Sequence, residues 1–350
     1  MSNPQSGSAQ VAAPALPPHA QVVQMATGLQ VARAVYALAE LGVADHFAGG
    51  PRSAEELAEA TGAHAPSLYR LLRFTAALGY FVEGADRTFT LAPLGDALRS
   101  DAPGHARSTV RMLAGPVGMG ALGDVVHSVR TGEAGVEKAF GMSLFDYLAG
   151  EPEQAAYFNE AMIGFHGMEP PAVAAAYDFS DIGVLVDVGG GTGNLLTTIL
   201  NANPRMRGVL YDMPHVAAEA RRAVEAKGLA GRCDVAEGSF FDAVPDGGDA
   251  YVLSHIIHDW DEERCLRILA NCRAAMRGRG RLLLVEMVIP PGNDFHLSKL
   301  TDFTMLVFTP GGQERTEGEY AELFAKAGFR LTRVVPTDSA VSVVEAVPEP

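Results

Sequence analysis

The segment HIIHDWDEERC, residues 255–265, brings two histidines and several acids together directly after an apolar run. Three roles fit: a metal site, a charged helix start, or one histidine that moves a proton. No matching set of metal ligands is evident elsewhere in the sequence, so we expect no metal. Asp259 and Asp261 are suited to a helix N-terminus. The spacing alone leaves open which of the two histidines, His255 or His258, would move a proton.

A glycine-rich loop, VDVGGGTGN (residues 186–194), follows another apolar run. A GxGxxG fingerprint would need glycine at position 194 or 196, where Asn194 and Leu196 stand, and no phosphate-binding GKS or GKT follows. The pattern is instead Asp-x-Gly-x-Gly-x-Gly, formed by Asp187, Gly189, Gly191 and Gly193. Its glycines permit a tight turn and close approach of a ligand to the next helix, and Asp212 at the following strand end can accept ribose hydroxyls.

Composition narrows the class of protein. The 350 residues are 48% hydrophobic and 20% charged, which is typical of a soluble globular protein of one large or two ordinary domains. The net charge of -15 disfavours nucleic acid and anionic membranes as partners and favours a small molecule. No apolar run approaches the roughly 20 residues of a membrane span. Residues 1–20 have the composition of a disordered tail and not of a signal peptide, so we expect a cytoplasmic protein.

Cysteine spacing favours neither a disulfide framework nor a metal site. The three cysteines form no CxxC pair, and two of them are spaced for one face of a helix. We expect buried, reduced thiols.

Residues 21–102 predict a winged-helix-like domain. Three helical stretches, one opened by a capping box of Ser53 and Glu56, precede a hairpin around residues 84–86. Residues 21–101 contain six arginines, no lysine and nine acids, whereas a DNA-binding domain should be basic. We therefore expect dimerisation or a lid over the substrate.

The remaining chain predicts an α/β fold. Residues 103–178 form a helical linker rich in Phe, Tyr and Met, either plain core or the wall of a pocket. In residues 179–350 short apolar strands alternate with helices, which indicates a doubly wound, mostly parallel, Rossmann-like sheet. Two alternating strands after residue 328 add an antiparallel finish that ordinary dinucleotide-binding sheets lack.

Taken together, these motifs resemble those of the S-adenosylmethionine-dependent small-molecule O-methyltransferases, which include plant phenylpropanoid, acetylserotonin and bacterial antibiotic-tailoring enzymes. The resemblance spans about residues 21–347, in the segments LVDVGGGTG, YDMPHV, HDWDEERCLRILANC, LLLVEMVIP and GGQERTEGEY. It is most specific for the bacterial natural-product branch. It implies a class I methyltransferase domain, a homodimer formed by the N-terminal domain, S-adenosylmethionine as methyl donor and an aromatic small-molecule acceptor.

The resemblance also implies roles for particular residues. His258 falls on the general base of the family, and Glu286 and Glu314 fall on the two acids that flank it. We therefore expect His255 to line a core or a pocket and not to act as a second base. The donor site would comprise Asp187, Gly189, Gly191, Gly193, Asp212, Met213, Ser239, Phe240 and Ser254. The acceptor site would comprise Phe158, Met162, Phe165, His255, Asp259, Met305 and Thr309.

Two positions depart from the family pattern and weaken the assignment of the adenine contacts. Ser239 stands where the family commonly has an aspartate, and Ser254 stands where many plant members have a lysine. A different reaction on the same scaffold, such as hydroxylation, decarboxylation or pericyclic chemistry, also stays open, as does a cofactor-sensing regulator.

The chemistry of methylating a phenol needs a base such as His258. A phenol with a pKa of about 10 and a histidine with a pKa of about 6.5 make complete proton transfer uphill by about 5 kcal/mol. We therefore expect a neutral His258 that takes the proton as the methyl group is transferred. A carboxylate on its other ring nitrogen would stabilise the imidazolium.

Overall fold

The computed structural model describes residues 16–349. Most of the predicted disordered tail, residues 1–15, lies outside the described residues. The prediction is wrong for residues 18–20, because a proline suited to the first helical turn begins a helix at Pro18. The chain divides into two compact units between Ala102 and Pro103, and the predicted boundary at residue 178 falls inside the second unit. Within the described residues, every helix is too short or too polar to cross a membrane.

The N-terminal unit has the predicted order of helices and hairpin. Its helices are α1 (Pro18–Ala26), α2 (Gly28–Leu41), α3 (Ala54–Thr61), α4 (Ala65–Ala77) and α5 (Pro93–Asp96). Its antiparallel sheet, ordered β1-β3-β2, consists of β1 (Arg52–Ser53), β2 (Phe81–Glu83) and β3 (Thr88–Leu91). The capping box of Ser53 and Glu56 is confirmed, and a left-handed Gly42 ends α2.

Seven short helices open the second unit. They are α6 (Ala106–Ala114), α7 (Pro116–Gly123), α8 (Val125–Thr131), α9 (Gly135–Phe140), α10 (Leu144–Gly150), α11 (Pro152–His166) and α12 (Glu169–Ala176). A cluster of buried side chains from α7, α9 and α10 includes Val117, Val136 and Leu148.

A seven-stranded sheet forms the centre of the second unit, in the order β11-β12-β8-β7-β4-β5-β6. Its strands are β4 (Val184–Val188), β5 (Arg207–Asp212), β6 (Cys233–Glu237), β7 (Ala250–Ser254), β8 (Arg281–Glu286), β11 (Phe329–Pro336) and β12 (Ser342–Pro348). A separate parallel pair consists of β9 (Val288–Ile289) and β10 (Arg315–Thr316). The predicted α/β fold of class I methyltransferases is confirmed, including the antiparallel finish, because β12 pairs antiparallel with both β8 and β11.

Helices cover both faces of this sheet. They are α13 (Asn194–Ala202), α14 (Pro214–Ala226), α15 (Glu262–Met276) and α17 (Glu317–Lys326). Helix α16 (Leu297–Phe308) instead packs against α7, α8 and α9. Two apolar clusters share the strand residues, with Leu185 and Leu210 in one and Val186 and Tyr251 in the other. Burial on both faces explains why β4, β7 and β8 are nearly continuous apolar runs. Parallel pairing brings the carboxyl ends of these three strands to one edge, where ligands bind in such sheets.

The three cysteines are free and buried, as the sequence predicts. Cys265 and Cys272 lie on α15 in one of the two apolar clusters. Burial raises the pKa of both thiols, to about 11 for Cys265 and about 12 for Cys272. They are therefore core residues.

Candidate active site

His258 lies just beyond β7, in a short 3-10 turn formed by Ile257–Asp259. Its side chain is 8% exposed. Its backbone carbonyl accepts a hydrogen bond of 2.8 Å from the amide of Gln313. A Cβ on neighbouring Gly312 would lie 2.5 Å from the same carbonyl oxygen, so only glycine allows the two segments to approach this closely. The turn therefore holds the imidazole at the ligand-binding edge of the sheet.

Two glutamates approach the same nitrogen of that imidazole. Nδ1 of His258 lies 2.7 Å from Oε1 of Glu314 and 3.7 Å from Oε2 of Glu286. Glu286 is the last residue of β8, and its Oε1 accepts hydrogen bonds from the amides of Ile256 and Ile257. Glu286 therefore positions both the backbone turn that carries His258 and the imidazole ring itself.

The β9–β10 pair positions Glu314. Glu314 directly precedes Arg315, which pairs with Val288, two residues after Glu286. The amide of Glu314 donates a hydrogen bond of 3.0 Å to Oδ1 of Asp302 on α16. The sequence reasoning missed Asp302, because nothing in its local pattern connects it with the histidine. The structure thus brings together the three residues predicted as catalytic.

The charges around His258 favour its protonated form. Burial alone would lower the pKa of His258, but the negative charges of Glu286, Asp259 and Glu314 outweigh burial and raise it. Burial also raises the pKa of Glu286, which the positive charge of His258 opposes. The expectation of a neutral His258 concerns the complex with donor and acceptor; in the protein without ligands, the carboxylates close to the ring raise its pKa and favour the protonated form.

The two aspartates after His258 have different environments. Asp261 is the N-cap of α15, and its side chain accepts a hydrogen bond of 2.8 Å from the amide of Arg264. The helix-start prediction is confirmed for Asp261. Asp259 instead ends the 3-10 turn, with Oδ1 3.6 Å from Nε2 of His258. Burial raises the pKa of Asp259, and the charge of His258 opposes that shift.

His255 contacts two residues that the sequence reasoning missed. Its Nε2 lies 2.7 Å from Oε2 of Glu169, and the same oxygen lies 3.1 Å from Nδ1 of His166. The expectation that no other ligand cluster exists is wrong, because these three side chains could hold a metal ion, as could His255, His258 and Glu286. The spacing of His166 and Glu169, in FHGME, was a signal that the sequence offered.

The glycine loop adopts a conformation that requires glycine. Gly189, Gly191 and Gly193 have φ values of 72°, 58° and 78°. A Cβ on Gly193 would lie 2.3 Å from Leu210, so helix α13 could not pack as it does. A Cβ on Gly191 would meet nothing within 4 Å among the described residues, which leaves room for a ligand.

The two aspartates beside this loop differ in their partners. Asp212 accepts hydrogen bonds from the amides of Gly191 (2.8 Å) and Met213 (2.7 Å). Asp187 is buried, and neither of its carboxylate oxygens has a hydrogen-bond partner among the described residues. Burial and the charge of Asp212 raise the pKa of Asp187 to about 7, against a smaller lowering by the backbone of Leu196.

The other predicted donor-site residues lie at the ends of β5, β6 and β7. Met213 precedes α14 and is 44% exposed. Ser239 accepts a hydrogen bond of 3.2 Å from the amide of Phe241. The ring of Phe240 lies 6.3 Å from that of Trp260, and Ser254 ends β7.

The predicted acceptor-site residues fall on two helices. Phe158, Met162 and Phe165 recur on α11 at spacings that share one face. Phe158 packs against a cluster that includes Phe308 of α16, whereas Phe165 is 45% exposed. On α16, Met305 is half-buried, and Thr309, which caps the helix, is buried with its hydroxyl donating to the carbonyl of Met305.

Known proteins match the chain along most of its length. Residues 120–330 match the O-methyltransferase domain, and residues 23–101 match the O-methyltransferase dimerisation domain. The phenazine O-methyltransferase of Lysobacter antibioticus is 45% identical over 334 residues, which are 95% of this chain and 97% of that protein.

Solved structures agree with these matches. The mitomycin 7-O-methyltransferase superposes with a TM-score of 0.89 at 39% identity, covering 94% of this chain and 97% of that one. An O-methyltransferase of neocarzinostatin biosynthesis, solved with S-adenosylmethionine and 2-hydroxy-5-methyl naphthoic acid, superposes with a TM-score of 0.81 at 37% identity, covering 91% of this chain and 96% of that one.

The chain belongs to the O-methyltransferase family that these two domains define. More particularly, it is an enzyme of the branch whose members use S-adenosylmethionine and act on aromatic natural products.

Proposed function

We propose that this enzyme methylates a phenolic hydroxyl of an aromatic natural product, with His258 as the general base. The observation that carries the proposal is the buried His258, whose Nδ1 lies 2.7 Å from Glu314 and 3.7 Å from Glu286. An ionised carboxylate only accepts hydrogen bonds, so Nδ1 carries a proton and Nε2 is the atom that takes one. This arrangement supports methylation over a repurposed reaction, because the other reactions do not need a carboxylate-backed base.

The residues at the glycine loop fit S-adenosylmethionine. The orphaned carboxylate of Asp187 offers a partner to a cationic group, and Gly191 leaves space that a side chain would fill. Asp212 retains oxygen lone pairs for the ribose hydroxyls beside its two backbone hydrogen bonds. The other donor-site residues contact the remainder of the donor in this proposal. They are Gly189, Gly193, Met213, Ser239, Phe240 and Ser254.

When bound, S-adenosylmethionine supplies an electrophilic methyl group and a positive sulfonium charge. A positive charge in the pocket lowers the pKa of His258 by repulsion, so the neutral base is favoured in the complete complex. His258 then takes the hydroxyl proton as the oxygen attacks, and Glu286 and Glu314 stabilise the imidazolium that forms. Holding the oxygen in line with the methyl group supplies a further part of the rate.

The acceptor lies, in this proposal, against the side chains of α11 and α16 and the pair His255 and Asp259. The α11 residues are Phe158, Met162 and Phe165, and the α16 residues are Met305 and Thr309. We further propose a cytoplasmic homodimer formed through the dimerisation domain, with no nucleic-acid partner. The planar, aromatic acceptors in the names of its relatives support this acceptor class.

The test is turnover of a phenol and naphthol panel by the His258→Ala variant. We expect kcat/KM to fall by about 10²- to 10⁴-fold, while the affinity for S-adenosylhomocysteine, measured by calorimetry, stays unchanged. His127→Ala is the matched control, because His127 pairs with Glu133 at the surface, and it should retain full turnover. Unchanged turnover in His258→Ala would remove His258 as the base, and conversion of the panel without methylated product would favour a repurposed reaction.

A further inference from the structure

His255 forms a second carboxylate-backed imidazole beside His258. We propose that His255 binds a hydroxyl or amino group on the ring carbon next to the one that carries the reacting hydroxyl. The acceptor class is then the aromatic vicinal diols and ortho-aminophenols. This inference rests on the proposed function and specifies its substrate.

Glu169 determines which atoms His255 can present. Glu169 is the first residue of α12, and its carboxylate is buried. Burial alone would raise the pKa of Glu169, but the hydrogen bonds from His166 and His255 lower it to about 2. The carboxylate is therefore ionised, and it accepts from Nδ1 of His166 and from Nε2 of His255.

The tautomer of His255 follows from this contact. Burial lowers the pKa of His255 to about 4, although the hydrogen bond to Glu169 opposes the shift. A neutral ring whose proton is on Nε2 has a bare lone pair on Nδ1. Nδ1 is buried and has no hydrogen-bond partner among residues 16–349. Such an acceptor without a partner is costly, and a donor group on a bound ligand would satisfy it.

The backbone holds His255 in a conformation that few residues adopt. Its φ is 53°, in the left-handed region that costs free energy for a residue other than glycine. Its amide donates a hydrogen bond of 3.1 Å to the carbonyl of Val285 on β8. Strained residues held by their surroundings cluster at functional sites, and here the strain places the ring of His255 beside that of His258.

The spacing of the two histidines fits adjacent ring substituents. Their ring centroids are 5.2 Å apart. From two rings at this separation, hydrogen bonds of about 2.8 Å each can reach two groups on neighbouring carbons of one aromatic ring. His258 would take the proton of one group, and His255 would accept a hydrogen bond from the other.

Hydrogen bonding explains the cluster of His166, Glu169 and His255 better than metal binding does. The rings of His166 and His255 are in contact but tilted, with centroids 3.9 Å apart and an angle of 41° between their planes. The contact of 2.7 Å between His255 and Glu169 is an ordinary charge-assisted hydrogen bond. A bound metal would be coordinated by Nε2 of His255 and Oε2 of Glu169, and it would replace the hydrogen bond between them. Metal binding is therefore the competing outcome in the experiment.

The experiment compares kcat/KM for 2,3-dihydroxynaphthalene and 3-methoxy-2-naphthol, which differ in the second hydroxyl proton. We expect the wild type to prefer the diol and His255→Ala to reduce that preference by about three- to tenfold. Glu169→Gln should reverse it, because a glutamine amide can donate to Nε2 and leave the proton on Nδ1, which then favours an acceptor such as methoxy. Differences in acidity between the two naphthols cancel when variants are compared. His127→Ala again serves as the control with an unchanged preference.

Each contrary result has a different meaning. An unchanged preference in His255→Ala and Glu169→Gln overturns this inference and leaves the proposed function standing. Stoichiometric binding of Zn²⁺ by the purified wild type that is lost in Glu169→Gln overturns it in favour of a metal site. Absence of methylated product from every phenol and naphthol overturns the proposed function and the inference with it.

Discussion

The buried acids at two strand ends, Asp187 on β4 and Glu286 on β8, have opposite surroundings. Oε1 of Glu286 accepts two backbone hydrogen bonds and its Oε2 lies 3.7 Å from His258. Neither oxygen of Asp187 has a hydrogen-bond partner among the described residues. Both carboxyl groups are essentially inaccessible to solvent, so burial by itself does not separate them.

The difference indicates where the partner of each acid comes from. A buried carboxylate is stable only when a cation or hydrogen-bond donors compensate for lost hydration. For Glu286 the protein supplies that compensation, and the site holds the proposed base His258. For Asp187 we infer that the ligand supplies it, through the positive charge of the methyl donor. In this proposal the same residue type serves catalysis in one place and binding in the other.

The largest effect should come from removing both acids that face His258. Glu286→Gln and Glu314→Gln should each lower kcat/KM about tenfold, because the remaining glutamate still faces Nδ1. The double variant should lose about 10³- to 10⁴-fold, as catalytic triads do when the acid is lost. Steady-state rates of the four proteins form the double-mutant cycle. If the decrease in kcat/KM of the double variant equals the product of the two single decreases, the two glutamates act on His258 independently, which would contradict this prediction.

The pH dependence of the same variants provides the control. In the proposed mechanism, neutral His258 is the active form. Because the carboxylates raise the pKa of His258, activity should rise only as the pH passes that raised pKa and the ring loses its proton. Removing one negative charge lowers the pKa of His258 and moves this rise to lower pH, even though the maximum rate falls. A rise that stays at the same pH in Glu314→Gln would mean that another group limits the reaction.

Asp187→Asn should have opposite effects on binding and stability. We expect the Kd for S-adenosylmethionine to increase by about ten- to a hundredfold, since a hydrogen bond to a charged group is lost. The ligand-free protein should gain about 1–3 kcal/mol of stability near pH 8, because an unpaired buried charge disappears. Calorimetric titration and thermal unfolding measure the two effects.

The stability effect has a defined pH window. The pKa of Asp187 is raised from 3.8 to about 7 in the folded protein, so the native state binds more protons than the unfolded state between these values. Ligand-free wild type should lose stability as pH rises through this window, and Asp187→Asn should lose less. Equal slopes in the two proteins would mean that Asp187 has a donor after all.

Much of the fold could be predicted because the local signals agree. Apolar runs indicated the strands of the sheet, and the capping box at Ser53 marked the start of α3. The motifs also indicated His258, Glu286 and Glu314, although 56 positions separate His258 from Glu314. His258 follows β7 and Glu286 ends β8, and strand order in an α/β sheet brings such positions together. Glu314 instead precedes β10, whose pairing with β9 brings it to the same place.

Contacts between helices and the sheet edge could not be predicted in the same way. Glu169 and His255 are 86 positions apart, and the packing of α12 determines their approach, not a repeat or a motif. The raised pKa of His258 in the protein without ligands could not be predicted for a related reason, since it depends on how many carboxylates converge on one ring. Asp259 and Asp261 look equivalent in the sequence, yet Asp259 ends the 3-10 turn beside His258 and its side chain is 23% exposed, whereas Asp261 caps α15 and its side chain is 38% exposed.

Substitutions of Asp259 and Asp261 should have the smallest effects. Asp261 also extends the comparison of Asp187 with Glu286 to an acid that is partly exposed. The carboxylate of Asp261 accepts hydrogen bonds from the amide and from the guanidinium of Arg264, which offset its charge. Asp261→Ala should therefore cost about 1 kcal/mol of stability through loss of a helix cap, without moving the pH dependence of activity. Asp259→Asn should move it to lower pH, because Asp259 contributes to the raised pKa of His258. Chemical denaturation and the pH profile separate the two variants, and a shifted profile in Asp261→Ala would show that exposed charges also control the base.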